Sequence, residues 1–256
     1  MCDHPGHRQT GWRGWMDLPG SAPLASTAPW HDLSHVLDEH VPNASIFPTP
    51  RFERIRSIRS GHPMNVTRMD MVVHTGTHVD APCHFFEDAP DFAAIPLDRL
   101  MGTGMVLDIP GAPCLAIDAA MLEARGGAVR AGDIVALYTG WARHAGTEAY
   151  ALHPYLTADA AQWLVDRRVK LLAIDTPSAD LPIPQRQPGF AWPAHHILLG
   201  HGVLVSEHLT GHAALAGRRC EFLFNALAIA GSDGSPARVL ARLAEEDFQG
   251  EDAHGA

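Results

Sequence analysis

The segment His74-Thr75-Gly76-Thr77-His78-Val79-Asp80-Ala81-Pro82-Cys83-His84-Phe85 decides how this chain is read. Its three histidines and one aspartate follow one another at offsets of four, two and four. In an extended chain alternate side chains point to one side, so these even-numbered positions would face a common pocket. A helix would not gather them, because residues two apart point about 200° from each other on a 3.6-residue turn. Gly76 and Pro82 also disfavour a regular helix. The spacing therefore predicts an irregular strand or loop that presents His74, His78, Asp80 and His84 together. A lone histidine on a strand face is most often a hydrogen-bonded core residue. Four such groups in one short stretch, beside Gly and Pro, point instead to a divalent cation such as zinc or manganese.

Around this segment the chain alternates strand and helix signals. Val66 to Val73 mixes β-branched and methionine residues as a strand does, and Met105 to Ile109 is an apolar run stopped by Pro110 and Gly111. Asp118 is placed to cap a helix over Ala119 to Arg125 that Gly126 and Gly127 end. Asp133 to Tyr138 reads as a buried strand. Thr157 can cap a helix whose Ala161, Leu164, Val165 and Arg168 share a face, with Arg168 reaching toward water. Val169 to Ile174 is the next strand. His195 to Leu199 is helix-like and leads through Gly200 and Gly202 into Val203 to Val205. Phe222 to Ile229 is a last apolar strand. Ser235 to Leu243 fits either a helix start or an edge strand. This pattern implies α/β or α+β architecture in one domain, with several strands and a few short helices. The expected organisation is an N-terminal extension over 1–29, a domain over 30–246 and a C-terminal tail over 247–256, both ends being turn-rich or polar.

Composition narrows the function classes. At 256 residues, with 46% hydrophobic and 19% charged residues, the chain has the material for a large core and needs no disulfide to fold. It carries 19 Lys+Arg against 29 Asp+Glu, a formal charge of -10, which disfavours nucleic acid as a partner. No apolar run reaches the roughly 20 residues of a membrane helix. Cys2, Cys83, Cys114 and Cys220 form no CxxC pair, and the N-terminus lacks a basic-then-apolar signal peptide, so a cytoplasmic enzyme is expected. There is no GxSxG elbow and no phosphate-cradling glycine loop.

The central segment resembles the HxGTHxDxPxH signature of the metal-dependent cyclase family, which includes kynurenine-formamidase-like and isatin-hydrolase-like enzymes. Other stretches resemble the same family: Asp32 to His35, Gly132 to Val135 with Thr139 to Trp141, Ile174 to Asp180, His195 to Leu199 with Glu207, and Gly231 to Arg238. Together these cover roughly residues 30 to 240. The resemblance implies the α/β class with a mixed sheet, in a swivelling β/β/α-type fold, assembled as a homodimer or homotetramer, with a small-molecule substrate. It implies that His74, His78 and Asp80 bind a first ion. Asp80 would then bridge to a second held by His195, with Glu207 shared and His196 as the adjacent alternative to His195. His84 would be the catalytic acid and base. Phe47 falls where formamidases place a substrate-contacting tryptophan, and this departure sets the kynurenine-type substrate in question. Phe85, Phe86, Phe190 and Trp192 are further candidates for pocket walls, while Asp175, Ser178 and Asp180 would brace the site.

The chemistry is consistent with that implication. A divalent ion lowers the pKa of bound water from about 15.7 to near 7 and can polarise a carbonyl. Amide cleavage also needs a proton delivered to the departing nitrogen, and a histidine is suited to that transfer. The expected activity is hydrolysis of a non-peptide carbon–nitrogen bond, in an aryl formamide or a cyclic amide, with Zn2+ or Mn2+ as one or two ions. The alternatives are lactone hydrolysis, or a histidine-rich protein that binds metal or ligand without catalysis.

Overall fold

Side chains alternate along short apolar runs, and this alternation builds the sheet. In Ile134–Tyr138, Ile134 and Ala136 face one layer of the core while Val135 and Leu137 face another, so the strand is covered on both sides. The same holds for Leu171–Ile174, where Leu171 and Ala173 face away from Leu172 and Ile174. The structure is a computed structural model that describes residues 11–20 and 23–245. The expected tail at 247–256 and the histidines at positions 4, 7 and 254 lie outside these residues.

Twelve strands and three α-helices are found among the described residues. The strands are β1 (His31–Asp32), β2 (Arg51–Arg56), β3 (Val66–Asp70), β4 (His78–Asp80), β5 (Met101–Asp108) and β6 (Ala116–Ile117). They continue as β7 (Ile134–Tyr138), β8 (Tyr155–Leu156), β9 (Leu171–Ile174), β10 (Leu204–Glu207), β11 (Arg219–Ala226) and β12 (Gly234–Leu243). The helices are α1 (Ala119–Arg125), α2 (Ala158–Asp166) and α3 (Pro193–Gly200).

The main sheet runs β1-β12-β11-β5-β7-β9-β10-β4, and β12 pairs again with β4, which closes it into a barrel. The neighbours β5, β7, β9 and β10 are parallel, and the other pairings are antiparallel. Parallel neighbours need crossovers, and α1, α2 and α3 each lie in one of the three connections. These helices bury Leu122, Leu164 and Leu198 against Val135, Leu172 and Val205. The barrel interior is filled by Ile134, Leu171 and Leu204 packed with Phe222, Val239 and Val79. The result is the α/β class expected from sequence, with a mixed sheet and short helices. No helix of the described residues is long and apolar enough to cross a membrane.

Local signals explain several elements, and the structure corrects others. Asp118 caps α1 by accepting from Met121 N at 2.8 Å, as its position predicts. Thr157 stands at the N-cap of α2, but its hydroxyl donates to Ile117 O at 3.1 Å and so ties β6 to β8 instead of capping the helix. Arg168 is not on the face of α2. The helix stops at Asp166, and Arg168 follows in a left-handed conformation (φ 56°) with its guanidinium on Asp17 O. Ser235 to Leu243 is neither a helix start nor an edge strand. It belongs to β12, which is hydrogen-bonded to β11 along one side and to β4 and β1 along the other.

The stretch read as peripheral at the N-terminus lies against the body wherever it is described. Trp12 and Met16 pack on the helix-side core and Trp15 on the barrel core. Arg13 N donates to Gly200 O at 2.9 Å, and Ala25 N and Ser26 N donate to Glu221 Oε1. A second two-stranded sheet, β2 with β3, stands outside the barrel with most of its residues exposed.

Candidate metal centre

The histidine segment does not run as one strand. Only His78 and Asp80 sit on a regular strand, β4, two residues apart and therefore on the same side. His74 enters from the turn before it, and His84 from a 3-10 turn over Pro82–His84. The four side chains thus converge through two turns, not through a continuous extended chain. Gly76 makes the first turn possible: its φ is 63°, and a Cβ there would lie 2.6 Å from Val41 Cγ2. Gly234 lets β12 approach, since a Cβ on it would lie 2.7 Å from His74 Cε1.

Asp80 is the centre of the cluster. Its Oδ1 is 2.7 Å from His74 Nδ1 and 3.2 Å from His78 Nε2, while its Oδ2 is 3.5 Å from His195 Nε2. Glu207, at the end of β10, divides in the same way. Its Oε1 is 3.2 Å from His195 Nε2, and its Oε2 is 3.7 Å from His78 Nε2. The ligand atoms of His74, His78 and Asp80 lie within 4.8 Å of one another, as do those of Asp80, His195 and Glu207. All five residues are buried. Of the adjacent pair on α3, His195 enters the cluster, whereas His196 turns to Trp192 O at 3.0 Å and to the rings of Phe85 and Phe86.

The donor set fits a divalent cation. His78 Nδ1 donates to Gly76 O at 2.7 Å, which leaves Nε2 as a lone pair. That Nε2 is buried and makes no hydrogen bond, although two carboxylate oxygens face it. His195 repeats the arrangement: Nδ1 donates to Asp180 Oδ2 at 2.6 Å, and Nε2 faces Asp80 and Glu207. Lone pairs turned toward anionic oxygens repel unless a cation lies between them. A carboxylate or carbonyl behind each histidine is what orients imidazoles for metals.

Asp180 braces this half of the site, as expected. It accepts from Ala194 N and His195 N at the start of α3 and from the His195 ring. Burial opposes charge on His74, but Asp80 and Asp233 outweigh it and push the pKa up to about 10. Burial likewise opposes charge on His195, and Asp180, Asp80 and Glu207 raise its pKa well above the usual histidine range. Asp80 resists burial through His74 and His195 and is held well below the usual carboxylate value. Groups that bind protons this firmly compete for the same lone pairs with a metal ion.

His84 lies beside the cluster, with its ring centroid 4.1 Å from that of His74. Its Nδ1 donates to Asp233 Oδ2 at 3.1 Å, and the same oxygen accepts from His74 Nε2 at 3.0 Å. These two hydrogen bonds hold Asp233 far below the usual carboxylate range. Asp233 was not foreseen from sequence. Its signal was its place in the Gly231 to Arg238 element, directly before the glycine that admits β12. His208 was also missed: it is buried and left-handed (φ 57°), and burial pushes its pKa well below the usual value. Its Nδ1 is 3.0 Å from Tyr150 Oη.

A small cleft of about 60 Å³ opens over the cluster, with Phe47, His84, Trp192, His195 and Glu207 in its lining. Phe47 stacks at 6.2 Å from His74, and Phe85 at 4.9 Å from His195. Trp192 also lines the cleft, while Phe190 lies against Trp192 and Phe86 belongs to the core. Next to the cleft, and sharing Ala44, Pro177, Ser178 and Ile183 with it, lies a chamber of about 640 Å³.

The Cyclase family model matches residues 31–181. The kynurenine formamidase of Geobacillus thermodenitrificans is 32% identical over 219 residues, which covers 84% of this chain and 97% of that protein. Among solved structures, isatin hydrolase A from Ralstonia solanacearum superposes with a TM-score of 0.76 at 25% identity, covering 84% of this chain and 92% of that one. The structure of a predicted metal-dependent hydrolase from Bacillus stearothermophilus gives a TM-score of 0.69 at 26% identity, over 84% of this chain and 98% of that one. A match over more than half of the sequence, a full-length relative and a shared barrel agree: the chain belongs to the Cyclase family.

Proposed function

We propose that this chain is a metal-dependent hydrolase of a small molecule that cleaves a non-peptide carbon–nitrogen bond, in an aryl formamide or a cyclic amide. The observation that carries the reading is the division of Asp80 and Glu207 between two histidine groups, with the His84–Asp233 pair beside them. The named activities of the relatives, kynurenine formamidase and isatin hydrolase, support the reaction class. His74, His78 and Asp80 would hold one ion, and Asp80, His195 and Glu207 a second, as Zn2+ or Mn2+, both of which suit nitrogen and carboxylate ligands.

A bound divalent cation supplies an acidified water and a polarised carbonyl. The protein does the rest. An ionised Asp233 can only accept, so it fixes the His84 proton on Nδ1 and leaves Nε2 free. His84 Nε2 takes the proton of the attacking water as its oxygen bonds to the carbonyl carbon. It then gives that proton to the nitrogen as the carbon–nitrogen bond breaks. Phe47 and Trp192 flank the space in which the acyl group would lie. The reading also takes residues 30–246 as the catalytic domain, Phe47 as a substrate contact, and a cytoplasmic homodimer or homotetramer as the working form.

The test is hydrolysis of N-formylkynurenine, isatin and simple formamides by protein stripped with chelator and reloaded with zinc or manganese. The His84→Ala variant should keep its metal and lose about 10²-fold or more in turnover. His78→Ala should lose the metal as well. Equal rates for the loaded wild type and both variants would sink the assignment.

A further inference from the structure

Arg186 has no part in the proposed chemistry, yet it lines the same cleft as His84, His195 and Glu207. It lies between Asp180, which orients His195, and Trp192, which begins α3 in a left-handed conformation (φ 49°). Its guanidinium is held on two sides. Nε donates to Leu181 O at 2.6 Å, and the guanidinium carbon lies 3.7 Å from the centroid of a Trp192 ring and 5.1 Å from that of Phe190. A planar cation fixed over an indole in this way loses little further entropy when it binds.

The unused part of the guanidinium is the informative one. Nη2 is buried and has no hydrogen-bond partner, and among the described residues no carboxylate lies within ion-pair distance of Arg186. Arginine remains protonated in proteins, so this is a half-buried positive charge with a donor left over. Asp180 and Glu207 offset part of the burial of this charge from beyond ion-pair distance, but they leave the Nη2 donor unmet, and a substrate anion would supply an acceptor together with a closer countercharge. The neighbouring carboxylates are already engaged: Asp180 by His195 and the start of α3, and Glu207 by Ala179 N and the histidine cluster. A guanidinium edge matches a planar carboxylate in a way that an amide or a neutral ring oxygen does not.

We infer that Arg186 is a specificity residue that binds a carboxylate of the substrate, so that the preferred substrates are amides or formamides bearing a carboxylate rather than neutral ones. This rests on the hydrolase reading for its substrate class, though not for the anion site itself. Trp192 and Phe190 position the guanidinium, and the reacting carbonyl lies toward His84 and the metal ligands.

The test separates the two readings. Benzoate and benzamide, which differ mainly in charge, are titrated calorimetrically into metal-loaded wild type, Arg186→Met and Arg186→Lys. Wild type should bind benzoate about tenfold or more tighter than Arg186→Met, with benzamide unchanged within about threefold. Lys, which keeps the charge but not the fork, should fall between. If Arg186→Met does not fold, the Lys variant carries the comparison through the same pair of ligands. Equal benzoate affinity in wild type and variants, a parallel loss for both ligands, or no benzoate binding to wild type would each overturn the assignment.

The kinetic counterpart uses 2-formamidobenzoate and formanilide. Arg186→Met should raise KM for the first and leave kcat/KM for the second within about threefold. Failure of wild type to hydrolyse either would count against the hydrolase reading and leave the benzoate titration to judge Arg186.

Discussion

At the residue scale, Asp233 does two jobs with one oxygen, since it accepts from both His74 and His84. Replacing it with Asn keeps the shape but removes the charge and the obligation to accept. The His84 tautomer is then no longer enforced, as an amide can also present a donor to Nδ1. Asp233→Asn should therefore lower kcat by about 10–10²-fold with KM little changed, measured with metal at saturation because His74 loses its support too. Wild-type kcat in that variant would remove Asp233 from the proton path. In the chain alone Asp233 carries no more signal than its place before Gly234 in the Gly231 to Arg238 element. It lies 159 residues from His74, and only the antiparallel approach of β12 to β4 brings the two together. The histidine segment itself was readable because its members are close in sequence and unusual in composition. The way it converges was not, because a two-residue alternation cannot foresee turns at Gly76 and Pro82.

At the scale of elements, what was readable was whatever carries its own start and stop. Helix α1 has Asp118 before it and Gly126 after it, and both act locally. Strand β7 announces itself as an apolar run because the sheet is covered on both faces. Strand β12 could be read only as a helix start or an edge strand, because its central place depends on partners far away in sequence and its Pro236 argues against a central strand. The described part of the N-terminal stretch packs on the body, which its residues could not announce: proline, glycine and tryptophan suggest a loose end until the surface that receives them is known.

Trp15 lies under the Arg99 guanidinium at 5.1 Å, and Arg99 in turn donates to Met16 O. Trp15→Ala should cost about 1–3 kcal/mol of unfolding free energy. A lower urea midpoint at unchanged slope would register it, and a midpoint equal to wild type would mean that the stretch adds nothing to the fold.

For the whole molecule, the concentration of charge at one place makes stability depend on pH in a way that metal reverses. The His74 pKa is raised in the folded state, from 6.5 to about 10. Its contribution without metal is therefore complete below about pH 6.5 and is lost as pH rises toward 10. With metal the ligand nitrogens must be deprotonated, so binding strengthens over the same window. Melting temperatures measured from pH 6.5 to 10 should fall for chelator-stripped protein relative to a His74→Gln variant. The gap between loaded and stripped wild type should widen. A gap that narrows with rising pH would show that His74 does not exchange its proton for an ion.

The closure of β4 between β10 and β12 also sets a timetable. A ribosome that adds about 5–20 residues per second needs about 8–30 s to travel from His74 to Asp233. Throughout that interval the histidine segment lacks at least one of the two strands that frame it, because β12 follows Asp233. The growing polypeptide therefore offers a passing ion a few loose imidazoles and no enclosing cage. An ion chosen by the proposed site can be chosen only once β12 stands beside β4, from whatever pool of ions surrounds the folded protein at that moment.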